Sequence, residues 1–286
     1  MPAGRTTYAL AHHIGLRTLG VIYFIALVSY WWQADGLIGQ RGILPFAAWL
    51  EHIRPQVARA GYHFVPTLLW LHPSDGFMHF LFAAGTVSSL LLAAGLLPAF
   101  NAVVLWVVYL SLVVVGRTFL GFQWDNLLLE AGLLAALSAP WRWRLRWGRD
   151  PAPPRLAVFL FQWLLFRLMF FSGYVKLASH DAAWSRLTAL TFHYWTQPLP
   201  PWTAWYANLL PAWVQRASCF LMFVVELGFP FLLALPRRAR HVAPIGFSAL
   251  MAIIMATGNY IPAAVARTSE KAATEIRDLA FIEHPF

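Results

Sequence analysis

The chain has 286 residues, 59% of them hydrophobic and 12% charged, with a formal net charge of +9. Soluble proteins carry about 25% charged residues, so a soluble fold of this composition would expose too much apolar surface. The positive charge lies in short clusters, not in a basic stripe interleaved with aromatics, which argues against a nucleic-acid partner. The single cysteine, Cys219, excludes an intrachain disulfide and thiol-pair redox chemistry.

Seven apolar runs approach the ~20 residues that a spanning helix needs. They cover roughly 16–33, 77–97, 101–116, 118–139, 156–178, 218–235 and 242–258. The expectation is an all-α, polytopic transmembrane helix bundle of about seven spans. It forms one domain over 1–260, followed by a polar tail at 261–286, and its partner is the lipid bilayer.

Arg5 and Arg17 precede or open the first run and no small-residue cleavage site follows it, so it reads as a retained span. The loop at 34–76 is rich in aromatics instead of Ser and Gly and is therefore not a flexible linker. His72, Asp75 and His79 cluster at the start of the second run, and Asp75 and His79 can share a helix face. A metal would need further ligands that have no visible source. Interfacial hydrogen bonding is expected there, with no metal and no cofactor. Only Gly116 and Arg117 separate the third and fourth runs, which form either a tight hairpin or a partly re-entrant unit.

The fourth run carries Asp125 and Glu130, the fifth Arg167 and Lys176, and the sixth Glu226. A charge at mid-bilayer costs at least ~2.5–3.5 kcal/mol, so these five are expected to face a bundle interior as an intramembrane polar cluster. Counting ~1.5 Å per residue puts Glu130 at ~18 Å and Arg167 at ~17 Å from the outer ends of their antiparallel spans. Matched depth predicts a pair. Glu226 and Asp125 lie at ~12 and ~10 Å. Lys176 is nearer the surface, where it can snorkel upward or reach Asp125. Ser172, beside Gly173, reads as a small helix-packing residue.

Arg142, Arg144, Arg146, Arg149 and Arg155 lie between the fourth and fifth runs, and Arg237, Arg238 and Arg240 between the sixth and seventh. Such clusters hold loops in the cytoplasm; binding of anionic lipid headgroups is the functional alternative. Alternation then places the N-terminus inside and the loops at 34–76 and 179–217 outside. In the second of these, Trp202, Trp205, Tyr206, Leu209 and Trp213 recur at helical spacing after Pro200 and Pro201. A Trp-rich amphipathic helix suits the membrane interface. A cover over the bundle mouth and a client-contact surface are its other readings.

Several long motifs occur in one order: DGLIGQRGILP from Asp35, FQWDNLLLEAG from Phe122, WLLFRLMFFSGYVKLAS from Trp163, LTALTFHYWTQPLPPWTAWY from Leu187 and FVVELGFPFL from Phe223. Together they cover most of residues 15–260, and they are similar to the lipase maturation factor family. The resemblance implies a multi-pass membrane protein, of the endoplasmic reticulum in animals, that helps secreted lipases fold and assemble. It implies a folding factor and no known enzyme. Family members continue past the Thr257–Tyr260 stretch into an extramembrane domain, whereas the match here stops at Tyr260.

The leading expectation is a maturation factor for exported proteins, possible clients being secreted lipases. His193, Tyr194, Trp195, Gln197, Pro198, Trp202, Trp205 and Tyr206 would form the client or interface loop. No catalytic residue is assigned: Gly-x-Ser-x-Gly and phosphate-loop motifs are absent. A membrane enzyme acting on a lipid or exported chain through the polar cluster, and a proton-coupled transporter, stand as alternatives. Arginine- and alanine-rich composition without an Asn-x-Ser/Thr site points to a bacterial plasma membrane.

Overall fold

The computed structural model describes residues 8–57, 61–147, 149–197, 200–236 and 240–258. The polar tail at 261–286, Arg237, Arg238 and Pro198 lie outside the described residues. All regular elements described are helical. The main ones are α1 (Ala9–Leu37), α2 (Phe46–Val57), α3 (Asp75–Ala94), α4 (Pro98–Gly116), α5 (Gln123–Ser138) and α6 (Arg155–Ala178). They continue as α7 (Ala189–Thr196), α8 (Trp202–Asn208), α9 (Ala212–Phe223) and α10 (Val242–Thr257).

Each of the seven apolar runs coincides with a helix. Five helices are long and apolar enough to cross a membrane: Ala9–Leu37, Asp75–Ala94, Pro98–Leu120, Arg155–Ala178 and Ala212–Leu232. Helices α5 and α10 have 16 residues each, or ~24 Å, short of a ~30 Å hydrocarbon core. The chain is a multi-pass integral membrane protein of helical-bundle class.

Two compact units divide it, one within Met1–Leu160 and the other within Phe161–Thr268. In the first, α1, α3, α4 and α5 surround a core that includes Tyr23, Leu27, Phe82, Leu105 and Leu112. Local chemistry sets the helix ends. Ser74 caps α3 by accepting from Phe77 N. Gly95 ends it in the left-handed region at φ +77°. Pro98 then opens α4 at a position where its missing N–H costs nothing.

The turn 95–97 is held by the loop after α5. Leu97 N donates to Trp143 O (2.8 Å), and Leu145 N donates to Gly95 O (2.7 Å). His13 Nδ1, near the start of α1, donates to Asp150 Oδ2 (2.7 Å). The N-terminal end of α1, the 95–97 turn and the arginine loop thus meet at one end, as alternating spans require.

At the other end, DGLIGQRG folds into a tight turn. His79 Nε2 donates to Asp35 Oδ1 (3.0 Å), and Gln40 N donates to the Asp75 carboxylate (3.1 and 3.2 Å). Asp75 and His79 therefore bind this turn instead of each other. The expected interfacial hydrogen bonding is present. Among the described residues no group of three metal-ligating side chains occurs.

Gly132 sits against Tyr23, whose hydroxyl donates to Leu128 O (3.0 Å). A Cβ at Gly132 would overlap that hydroxyl. Gly132→Ala is expected to lower the melting temperature, at a cost of about 1–3 kcal/mol for overpacking. Adding Tyr23→Phe removes the colliding oxygen and should restore part of the loss. A double variant no more stable than Gly132→Ala in a detergent melt would refute this packing.

In the second unit, Met169 of α6 packs with Ala243 and Phe247 of α10, and with Val225 and Phe229 after α9. The helix of α9 widens to a π turn at Val224–Gly228 before continuing as Phe229–Leu232. Pro230 explains this. It has no N–H for the Glu226 carbonyl, and its ring would collide with that carbonyl in a regular helix. Phe229 N instead donates five residues back, to Val224 O.

Candidate functional site

The five charged residues expected inside the membrane fall on both units. In the first, Asp125 is 3% exposed on the first turn of α5. Tyr109 Oη of α4 donates to its Oδ1 (2.7 Å), and the Tyr109 ring packs edge-on against Tyr23 at 5.4 Å. The opposite oxygen, Oδ2, is buried without a hydrogen-bond partner. Glu130 is half-buried, one and a half turns further along α5.

In the second unit, Glu226 is 2% exposed. The π turn brings its carboxylate to α6, where Lys176 Nζ donates to both oxygens at 2.7 Å. Ser172 Oγ donates to Glu226 Oε1 (3.1 Å) and accepts from Lys176 Nζ (3.0 Å). The Lys176 ammonium also stands 5.6 Å over the Trp184 ring. Glu226, not Asp125, is thus the partner of Lys176. The expectation for Ser172 also needs correction, because its hydroxyl completes the ion pair. Sequence reasoning missed it because serine at i−4 from a lysine is uninformative until the π turn supplies the carboxylate. Arg167 is exposed on α6.

The loop expected outside, at 179–217, presents the second set. Trp195 on α7, Trp202, Trp205 and Tyr206 on α8, Leu209, and Trp213 on α9 are each 60–76% exposed. Their supports are buried. Tyr194 and Ala204 face inward. Gln197 Nε2 donates to Thr257 O (2.9 Å), and Thr203 Oγ1 donates to Ala256 O, tying α7 and α8 to the end of α10.

The single helix expected over Trp202–Trp213 is broken at Leu209–Pro211. Pro211 cannot donate to a preceding turn. Gln215 Nε2 donates to Asn208 O (3.0 Å) and Leu210 O (3.1 Å), satisfying carbonyls that the break exposes. Gln215 was not legible as a cap, since its carbonyl partners lie in a break that the helical spacing conceals.

His193 is half-buried on α7, and burial lowers its pKa below the ordinary histidine range. The unfolded chain then binds a proton that the folded loop resists, so stability falls as pH drops through about 6.5. His193→Gln should flatten the melting-temperature profile between pH 7 and 5. An unchanged slope would exclude His193 as a contributor.

Residues 10–262 match the family described as Lipase maturation factor transmembrane domain. The chain belongs to the lipase maturation factor family. It is 44% identical over 255 residues to Lipase maturation factor 2 of Gallus gallus, covering 86% of this chain and 35% of that protein. Lipase maturation factor 2 of Homo sapiens is 40% identical over 269 residues, 88% of this chain and 38% of the relative. Lipase maturation factor 1 of Mus musculus is 34% identical over 265 residues, 88% and 45% respectively. The chain thus spans between about a third and under half the length of these relatives. No solved structure matches it.

Proposed function

We propose that this lipase maturation factor family member is a membrane-embedded maturation factor for exported proteins, lipases first among them. The exposed aromatic face of α7, α8 and α9 is the surface that meets the client. The observation that carries the reading is a row of exposed indoles held on buried supports. Trp and Tyr supply large contact area at low entropic cost, and partially folded clients expose apolar segments. In the unit that carries this face, Lys176 and Glu226 join α6 to the turn after α9; in the other unit, Tyr109 and Asp125 join α4 to α5. Glu130–Arg167 pairing is proposed from matched depth; a charge-swap double mutant no better than either single mutant would overturn it.

The test is the specific activity of an exported lipase, per mass secreted, in cells with and without the gene. The intact chain should raise it, and Trp202→Ser/Trp205→Ser/Trp213→Ser should abolish the rise while the protein still accumulates in the membrane. No rise with the intact chain present would overturn the reading.

A membrane enzyme is the second reading, favoured by a hydroxyl, an ammonium and a carboxylate converging at Ser172, Lys176 and Glu226. It requires that Glu226→Gln abolish activity with the melting temperature unchanged. Composition and the missing Asn-x-Ser/Thr site support a bacterial plasma membrane as the location. An endoplasmic reticulum membrane is the eukaryotic alternative, and membrane fractionation decides between them.

A further inference from the structure

The loop after α5 reads WRWRLRWGRD from Trp141 to Asp150. Its backbone is tied down at two points. Leu97 N donates to Trp143 O, Leu145 N donates to Gly95 O, and residues Leu96 and Arg144 form an antiparallel bridge. Leu145 turns inward and is 6% exposed. Arg144 and Arg146, on either side of Leu145, are exposed. Trp141, Trp143 and Trp147 are 66–81% exposed. Arg142, Arg144, Arg146 and Arg149 are exposed beside them.

The one acid in the segment is turned away from the arginine side chains. The Asp150 side chain is 6% exposed, and its carboxylate accepts from Arg146 N (3.0 and 3.1 Å) and His13 Nδ1. Its hydrogen-bonding capacity is turned inward. Among the described residues, none of the four arginines forms an ion pair with an acidic side chain. The result is a fixed rail of guanidinium groups between indoles, at the end of the unit where α1 starts, α3 meets α4 and α5 stops.

We propose that this rail binds the headgroups of anionic phospholipids in the adjoining leaflet. Guanidinium groups meet phosphate oxygens in a bidentate fork, and indoles settle at headgroup depth. Each basic residue near an anionic surface is worth roughly five-fold in affinity. A loop that only set topology would need the arginines but neither exposed indoles alternating with them nor an acid folded inward. The proposal does not depend on the client reading.

The experiment is native mass spectrometry of the full chain extracted from bilayers of equal phosphatidylglycerol and phosphatidylcholine with matched acyl chains. The unchanged chain should retain phosphatidylglycerol preferentially. In Arg144→Gln/Arg146→Gln, Arg142, Arg149 and Arg155 remain to keep the loop on its side of the membrane. That variant should lose the preference by five-fold or more. Inorganic phosphate at millimolar concentration should not displace the lipid; displacement would show a soluble-anion site and overturn the lipid assignment. Equal retention of the two lipids by the unchanged chain, or an undiminished preference in the double variant, would also overturn it.

Discussion

Lys176→Met is expected to destabilise the protein by about 3–5 kcal/mol, the cost of leaving a buried charge without its partner. The Lys176 side chain is 21% exposed and that of Glu226 only 3%. Removing the lysine leaves the carboxylate with the Ser172 hydroxyl as its remaining donor. Removing the carboxylate is milder. In Glu226→Met the lysine keeps Ser172 and the Trp184 face, and its long stem lets the ammonium move toward water.

The double variant Lys176→Met/Glu226→Met buries neither charge and should be more stable than Lys176→Met alone. Denaturant titration in detergent measures all three. If the losses of the two single variants simply add in the double variant, the ion pair is not what holds α6 to the turn after α9. Glu226→Gln, measured for both activity and melting temperature, separates the scaffold reading from the enzyme reading, since the latter demands lost activity at unchanged stability.

Gly20→Val should cost about 3 kcal/mol, at the upper end for overpacking, with no second-site rescue from a neighbouring side chain. A Cβ at Gly20 would stand 2.5 Å from Ala93 N, 2.8 Å from Ser89 O and 3.0 Å from Ala93 Cα. All three are backbone atoms of α3, so relief requires moving a whole helix. Arg17 Nε donates to Ala93 O (2.7 Å), pinning the same crossing one turn away.

Gly15, on the same helix, has nothing within 4 Å of its would-be Cβ. Gly15→Ala should therefore be neutral or stabilising by about 0.5–1 kcal/mol through helix propensity. Equal melting temperatures for Gly20→Val and the parent chain would show that α1 and α3 do not approach this closely.

The two tests bear on different levels of legibility. Gly15 and Gly20 look alike in sequence. Only the crossing of α1 and α3 distinguishes a free glycine from an obligatory one. Likewise, depth along the spans ranked Glu226 beside Asp125 but could not rank their partners. Depth is a one-dimensional coordinate, and pairing also depends on which face of each helix a side chain leaves. For Glu226 that face is set by the π turn, whose cause, Pro230, was visible in the sequence although its consequence was not. The Trp202–Trp213 spacing read as one helix because periodicity continues across Leu209–Pro211; the break became clear only with Gln215 in place as its cap.

What the sequence by itself determined is the class of solvent and the number of apolar segments. Composition and runs of about 20 apolar residues constrain these without reference to any neighbour, because the bilayer acts on every segment separately. Five ordered motifs likewise sufficed to indicate the family. Partners were decided by tertiary structure alone: Tyr109 for Asp125, Glu226 for Lys176, Asp35 for His79, and Asp150 for His13. Each joins residues of different elements or loops, and helix rotation, crossing distance and backbone breaks determine such meetings. Those quantities arise from packing many side chains at once and leave no periodic trace in the chain.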